Sequence, residues 1–96
     1  MKLTVKKTEK LKKKPDESNL GFGTLFTDYM FNMDYTPDKG WHSARIEPYA
    51  PLALDPSTMF LHYAQGAFEG LKAYRGIDDR VRVFRPDMNA ARLDTS

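Results

Sequence analysis

From Thr24 to Tyr35 the chain alternates. Leu25, Thr27, Tyr29, Phe31, Met33 and Tyr35 fall on one face, and Asp28, Asn32 and Asp34 fall on the other with Phe26 and Met30. A period of two with this aromatic content predicts a β-strand with one face buried and the other partly so. Thr36-Pro37-Asp38-Lys39-Gly40 has the chemistry of a turn: proline presets φ and glycine is free to take a positive one. Trp41 to Ile46 then returns as the antiparallel partner. Pro48 and Pro51 interrupt pairing, so Leu52 to Leu54 is at most a short extended piece.

The period then changes. Phe60, Tyr63, Ala64, Ala67 and Phe68 follow helical spacing with Met59 at the flank, and Asp55-Pro56 has the form of a helix start. Gly66 weakens that helix and Gly70 stops it. Leu71 to Arg75 and Val81 to Phe84 form a predicted hairpin across Gly76-Ile77-Asp78-Asp79, and Pro86-Asp87 opens a second helix. The fold class predicted is α+β, a mainly antiparallel sheet with helices on one face. The second helix reaches the last residue with no packing partner after it, and short helices depend on such partners. The chain is therefore expected to be a piece of a larger protein.

Charge alters this picture at one end only. Residues 1–14 carry seven lysines against Glu9, a balance of +6, whereas the rest of the chain sums to −4. Residues 1–19 are expected to form a lysine-rich arm and linker, and 20–96 an incomplete domain. Such an arm either binds nucleic acid or an anionic surface, or is a solvated leader. The acidic body has no basic stripe to extend it, which favours the leader and no nucleic-acid partner. No apolar run has the ~18 residues that would span a bilayer, so no membrane association is expected. Without cysteine there is no disulfide framework or thiolate metal site. The expected location is the cytoplasm by default. His42 and His62 stand alone and are expected to be structural, and neither a metal site nor a nucleophile–base pair is visible.

One segment goes beyond composition. Leu61-His62-Tyr63-Ala64-Gln65-Gly66-Ala67-Phe68-Glu69-Gly70-Leu71-Lys72-Ala73-Tyr74-Arg75 resembles the signature segment of branched-chain amino-acid aminotransferases, fold-type IV enzymes that use pyridoxal 5'-phosphate. Gly21 to Met30, Gly40-Trp41-His42 with Arg45 to Tyr49, and Phe84 to Leu93 resemble further family segments in the same order. Thr95 departs from the basic residue that family members often carry before a position like Ser96.

The resemblance implies the small N-terminal domain of a D-amino-acid aminotransferase-like enzyme, dimeric when full length. The activity implied is transfer of the amino group of leucine, isoleucine or valine to 2-oxoglutarate. The lysine that carries the cofactor and the acid facing its pyridine nitrogen would lie downstream, so no catalytic residue is assigned here and the piece is expected to be inactive alone. Arg92 matches the family's phosphate-binding arginine. Phe22, Tyr63 and Phe68 match apolar positions of the substrate pocket, although each also suits a core aromatic. Lys72 matches no cofactor-bearing lysine, and Glu69 and Gly70 read as structural, closing the helix and opening the strand. Competing readings are a fold-type IV enzyme for D-amino acids or aminodeoxychorismate, a basic-armed nucleic-acid-binding module, and a structural fragment without activity.

Overall fold

The structure is a computed structural model and describes residues 1–96. It is a small α+β chain of two compact units, Met1–Leu52 and Ala53–Ser96.

In the first unit the predicted hairpin is present. β2 (Tyr29–Thr36) and β3 (Gly40–Pro48) pair antiparallel, and β1 (Thr4–Val5) lies parallel to β3 on its other side. The turn closes with Lys39 N–H donating to Thr36 O at 3.1 Å, and Gly40 adopts φ +68°. Glycine is required there because a Cβ makes left-handed backbone costly. Tyr35 and Trp41 face each other across the turn, ring centroids 5.2 Å apart and edge-on.

The register slips between Asn32 and Asp34: Asn32 faces Arg45, whereas Asp34 faces His42. Met33 thus opposes two residues of β3, Ser43 and Ala44, which is a β-bulge. Ser43 takes φ +57°, and its Oγ lies 2.9 Å from His42 Nδ1. Ala44 is the one buried apolar residue of the chain. The polar face forms as expected. Asn32, Asp34, Arg45 and Glu47 are joined by Asn32 Nδ2 to Glu47 Oε1 (2.7 Å), Arg45 Nη1 to Asp34 Oδ2 (3.0 Å) and Arg45 Nε to Glu47 Oε1 (3.2 Å).

Two strand expectations are corrected. The strand begins at Tyr29, not Thr24: Asp28 O still accepts from Tyr49 N–H at 2.9 Å, one position beyond the last register pair, and the Asp28 side chain accepts from Lys12 N–H at 2.8 Å. The apolar face is also not buried, since Phe31 and Tyr35 stay more than half exposed. A three-stranded sheet does not bury a face without a packed layer over it.

In the second unit the first helix is much shorter than its periodicity predicts. α1 covers only Met59–Tyr63. Asp55 does not cap it. Its carboxylate accepts from Ser57 N–H (2.8 Å) and Ser57 Oγ (2.6 Å), building a turn before the helix instead. Ala64 then takes φ +50° and ends the helix. Just beyond it, a Cβ at Gly66 would lie 2.5 Å from Phe60 Cδ2, so the chain passes against the Phe60 ring where only glycine fits. β4 (Ala73–Arg75) and β5 (Val81–Val83) form the predicted hairpin, with Gly76 N–H donating to Arg80 O at 2.8 Å. α2 (Pro86–Thr95) starts at the predicted proline, which suits the first helical position.

Gly40→Val is expected to lower stability by about 1–2 kcal/mol, because valine cannot adopt the turn's backbone without strain. The measurement is urea denaturation of the complete polypeptide carrying this segment. A lower midpoint at unchanged slope is expected.

Candidate functional site

The densest polar cluster of the second unit joins the segment after α1 to the helix α2. Pro86 fixes the entry to α2, and Asn89 and Arg92, three residues apart, stand one helical turn from each other on the same side. Both reach back to Glu69. Arg92 donates from Nε to Glu69 Oε2 at 2.6 Å and from Nη2 to Oε1, a two-point fork. Asn89 Nδ2 donates to Glu69 Oε1 and to Gly70 O, each at 2.9 Å, and Gly70 N–H approaches Oε1 at 3.2 Å.

The two partners differ in exposure. The Glu69 side chain is 10% exposed and that of Arg92 is 67% exposed. A covered carboxylate must be paired or hydrogen-bonded, and Glu69 is both. Hydrogen bonds from Arg92 and then Asn89 hold its carboxyl at a pKa of about 2, well below the ordinary 4.5. The same carboxylate raises the Arg92 pKa, through the hydrogen bond between them, above a value at which the guanidinium is already charged.

A guanidinium has five N–H donors in a planar fork. Glu69 takes two of them, on Nε and Nη2, and leaves three, two of which form the adjoining Nη1–Nη2 edge. Arg92 lines a cavity of about 420 Å³ together with Phe84, Arg85, Met88 and Asn89. Arg85, immediately before the helix, is a second arginine among the residues that line that cavity and holds left-handed backbone at φ +45°. Arg85 and Arg92 are matched in number by Glu69 and by Asp87 in the first turn of α2, so the positive character of the cavity is local to the edge of Arg92 that Glu69 leaves open. Chemically the arrangement is suited to hold a phosphoryl or carboxylate group.

The other residues singled out from the sequence are distributed differently. Phe22 belongs to the first unit and is 98% exposed; Tyr63, at the end of α1, and Phe68 belong to the second, at 72% and 92%. None of the three lines the Arg92 cavity. His62 Nε2 donates to Pro56 O at 2.5 Å, and His42 Nε2 lies 3.3 Å from Thr36 Oγ1. No group of acidic and histidine side chains capable of holding a metal is present, and no helix is long and apolar enough to cross a membrane. Glu69 neither closes α1 nor opens β4. Its role as the partner of Arg92 is the feature that sequence spacing missed, because a separation of 23 residues carries no periodic signal. Asn89, in the same cluster, was also unmarked in the sequence.

The chain is thus small and α+β, with an arginine-bearing helix that lines an open cavity. No protein-family model matches the chain. The branched-chain-amino-acid transaminase 1 of Bacillus subtilis (strain 168) is 62% identical over 90 residues, which cover 94% of this chain and 25% of that protein. The branched-chain-amino-acid aminotransferase 2 of the same strain is 53% identical over 94 residues, covering 98% and 26%. The branched-chain-amino-acid aminotransferase of Mycolicibacterium smegmatis is 56% identical over 79 residues, covering 82% and 22%. The chain is therefore a relative, in sequence, of the branched-chain-amino-acid aminotransferases, and it spans about a quarter of the length of the curated relatives it matches.

The lowered pKa of Glu69 gives this site a defined pH window. A carboxylate whose pKa falls on folding contributes stability that is complete above its unfolded value, near 4.5, and lost as pH falls through about 2. Carbon-13 NMR of the Glu69 carboxyl should show titration near 2, and Arg92→Ala should move it back toward 4.5. Titration near 4.5 in the unaltered protein would show that the fork does not form in solution.

Proposed function

We propose that this chain is part of a pyridoxal-phosphate-dependent branched-chain aminotransferase and that Arg92 holds the cofactor's phosphate. The observation that carries the reading is the Arg92 fork: one edge is engaged by Glu69 and the other stays free beside Arg85 and the start of α2. A phosphate is dianionic near neutral pH and takes several donors. Three remaining N–H groups on a charged guanidinium, with a second arginine, Arg85, among the residues lining the same cavity, fit that demand. When bound, the cofactor supplies an electron sink for proton removal at the amino-acid α carbon.

This segment's share of the work is binding and orientation. Arg92 fixes the phosphate end and thereby sets the position of the reacting end of the ring. Phe22, Tyr63 and Phe68 form apolar wall for the side chains of leucine, isoleucine and valine, which offer only hydrocarbon for recognition. Their exposure of 72% or more supports this role over a core role within either unit. The amino acceptor is 2-oxoglutarate. The segment belongs to the small N-terminal domain, with helices on one face of the sheet, in a cytoplasmic homodimer. It has no activity by itself.

Two measurements on the complete polypeptide test this reading. Arg92→Ala should weaken pyridoxal-phosphate binding at least roughly tenfold, read from a titration of the cofactor's absorbance; unchanged affinity removes the assignment. Tyr63→Ala should lower kcat/KM for leucine at least roughly tenfold, and a wild-type value takes Tyr63 out of the pocket. Comparing leucine with D-alanine as amino donor separates the branched-chain reading from its fold-type IV alternatives.

A further inference from the structure

The Glu69 carboxylate uses one edge of the Arg92 guanidinium and is itself braced from a third side chain. We infer that Glu69, braced by Asn89, is a positioning residue that presents the free edge of Arg92 to a phosphate group. The inference rests on the reading of Arg92 as the phosphate ligand.

Four observations support it. The contact is two-point, through Nε and Nη2, which fixes the plane of the guanidinium as well as its distance. A single-point contact would leave the plane free to rotate about the hydrogen bond. Second, Glu69 is fixed in turn. Its Oε1 also accepts from Asn89 Nδ2, one helical turn from Arg92, and from the neighbouring Gly70 N–H. Third, Asn89 spans Glu69 and Gly70 O, so the 69–70 corner is fastened to α2 at both its side chain and its backbone. Fourth, the exposures are unequal: the carboxylate is covered and the arginine open. Surface ion pairs of long side chains contribute little because both partners must be immobilised from solvent. Here one partner is already held, so the ordering falls on Arg92 alone.

The arrangement has a chemical consequence. Each free Nη hydrogen points in a direction set by the Glu69 plane, before any ligand arrives. The entropy of ordering a long side chain is then spent in folding rather than in ligand binding. Glu69 does this without occupying the edge that would meet the phosphate.

The test compares two ligands that differ only at the phosphate, pyridoxal 5'-phosphate and pyridoxal, on the complete polypeptide. Their affinity ratio reports the phosphate contact, and a general loss of folding moves both affinities together. Glu69→Gln keeps the shape and one acceptor and removes the charge. It should lower the ratio roughly tenfold with pyridoxal affinity little changed. Asn89→Ala leaves the ion pair and removes its brace, and should lower the ratio by a smaller factor, roughly two- to threefold. Glu69→Asp should recover part of the loss seen with Glu69→Gln. An unchanged or increased ratio in Glu69→Gln overturns the inference, as does an equal loss for both ligands. If Glu69→Gln gives no folded protein, an unchanged ratio in Asn89→Ala overturns it. Arg92→Ala separates the two levels: a retained ratio there refutes the phosphate role of Arg92 itself. A lost ratio there, with a normal one in Glu69→Gln, refutes only the positioning role.

Discussion

A carboxylate removed from water has to find its counter-charge, and in the second unit that requirement organises what periodicity does not. Glu69 lies outside every helix and strand, yet it gathers donors from Arg92, Asn89 and Gly70. Through those contacts an irregular segment is attached to a regular helix, and the one arginine of α2 acquires a defined plane. The hairpin β4–β5 shows a weaker version of the same logic, where Asp78 binds Arg82 by two hydrogen bonds of 2.7 and 2.5 Å. Both Asp78 and Arg82 sides of that pair remain substantially open to solvent, so it shapes a turn rather than a site.

Local chemistry was legible where it acted locally. The turn at Thr36 to Gly40, the two hairpins and the proline at the start of α2 all follow from residues within a few positions of one another, and all were read from the sequence. The bulge at Ser43 was not, because a register slip depends on how two strands meet. The helix predicted through Phe68 failed for a comparable reason. The spacing of Phe60, Tyr63, Ala64 and Ala67 is helical, but spacing does not record that Ala64 turns left-handed or that Gly66 passes against the Phe60 ring. Asp55 illustrates a competition: its side chain is as good at closing a turn on Ser57 as at capping a helix, and the turn won.

For the candidate site, Arg92 could be picked out only by resemblance to a family, since a lone arginine on a helix has no signature of its own. Its partner could not be picked out at all. The aromatic positions Phe22, Tyr63 and Phe68 are in an intermediate position. Their types fit an apolar pocket, and their openness in both units fits surfaces made to be covered. A segment about a quarter as long as its relatives buries one apolar residue, Ala44, and leaves its large rings at the surface.

The lysine-rich beginning of the chain has a place in this architecture. Thr4 and Val5 lie in parallel register with Arg45 and Ile46, and Lys6 N–H donates to Ile46 O at 2.8 Å. Farther along, Lys12 approaches the Tyr49 ring at 4.9 Å, and Tyr49 stacks on Phe26. The outer hydrogen-bonding rim of β3 is thus occupied over those residues by a strand whose flanks carry repelling positive charges. An unprotected rim is a template for pairing with a foreign chain, and lysine is a common guard against it. In this protein the guard is supplied by its own leading residues, so trimming them would free the rim and invite self-association through the backbone.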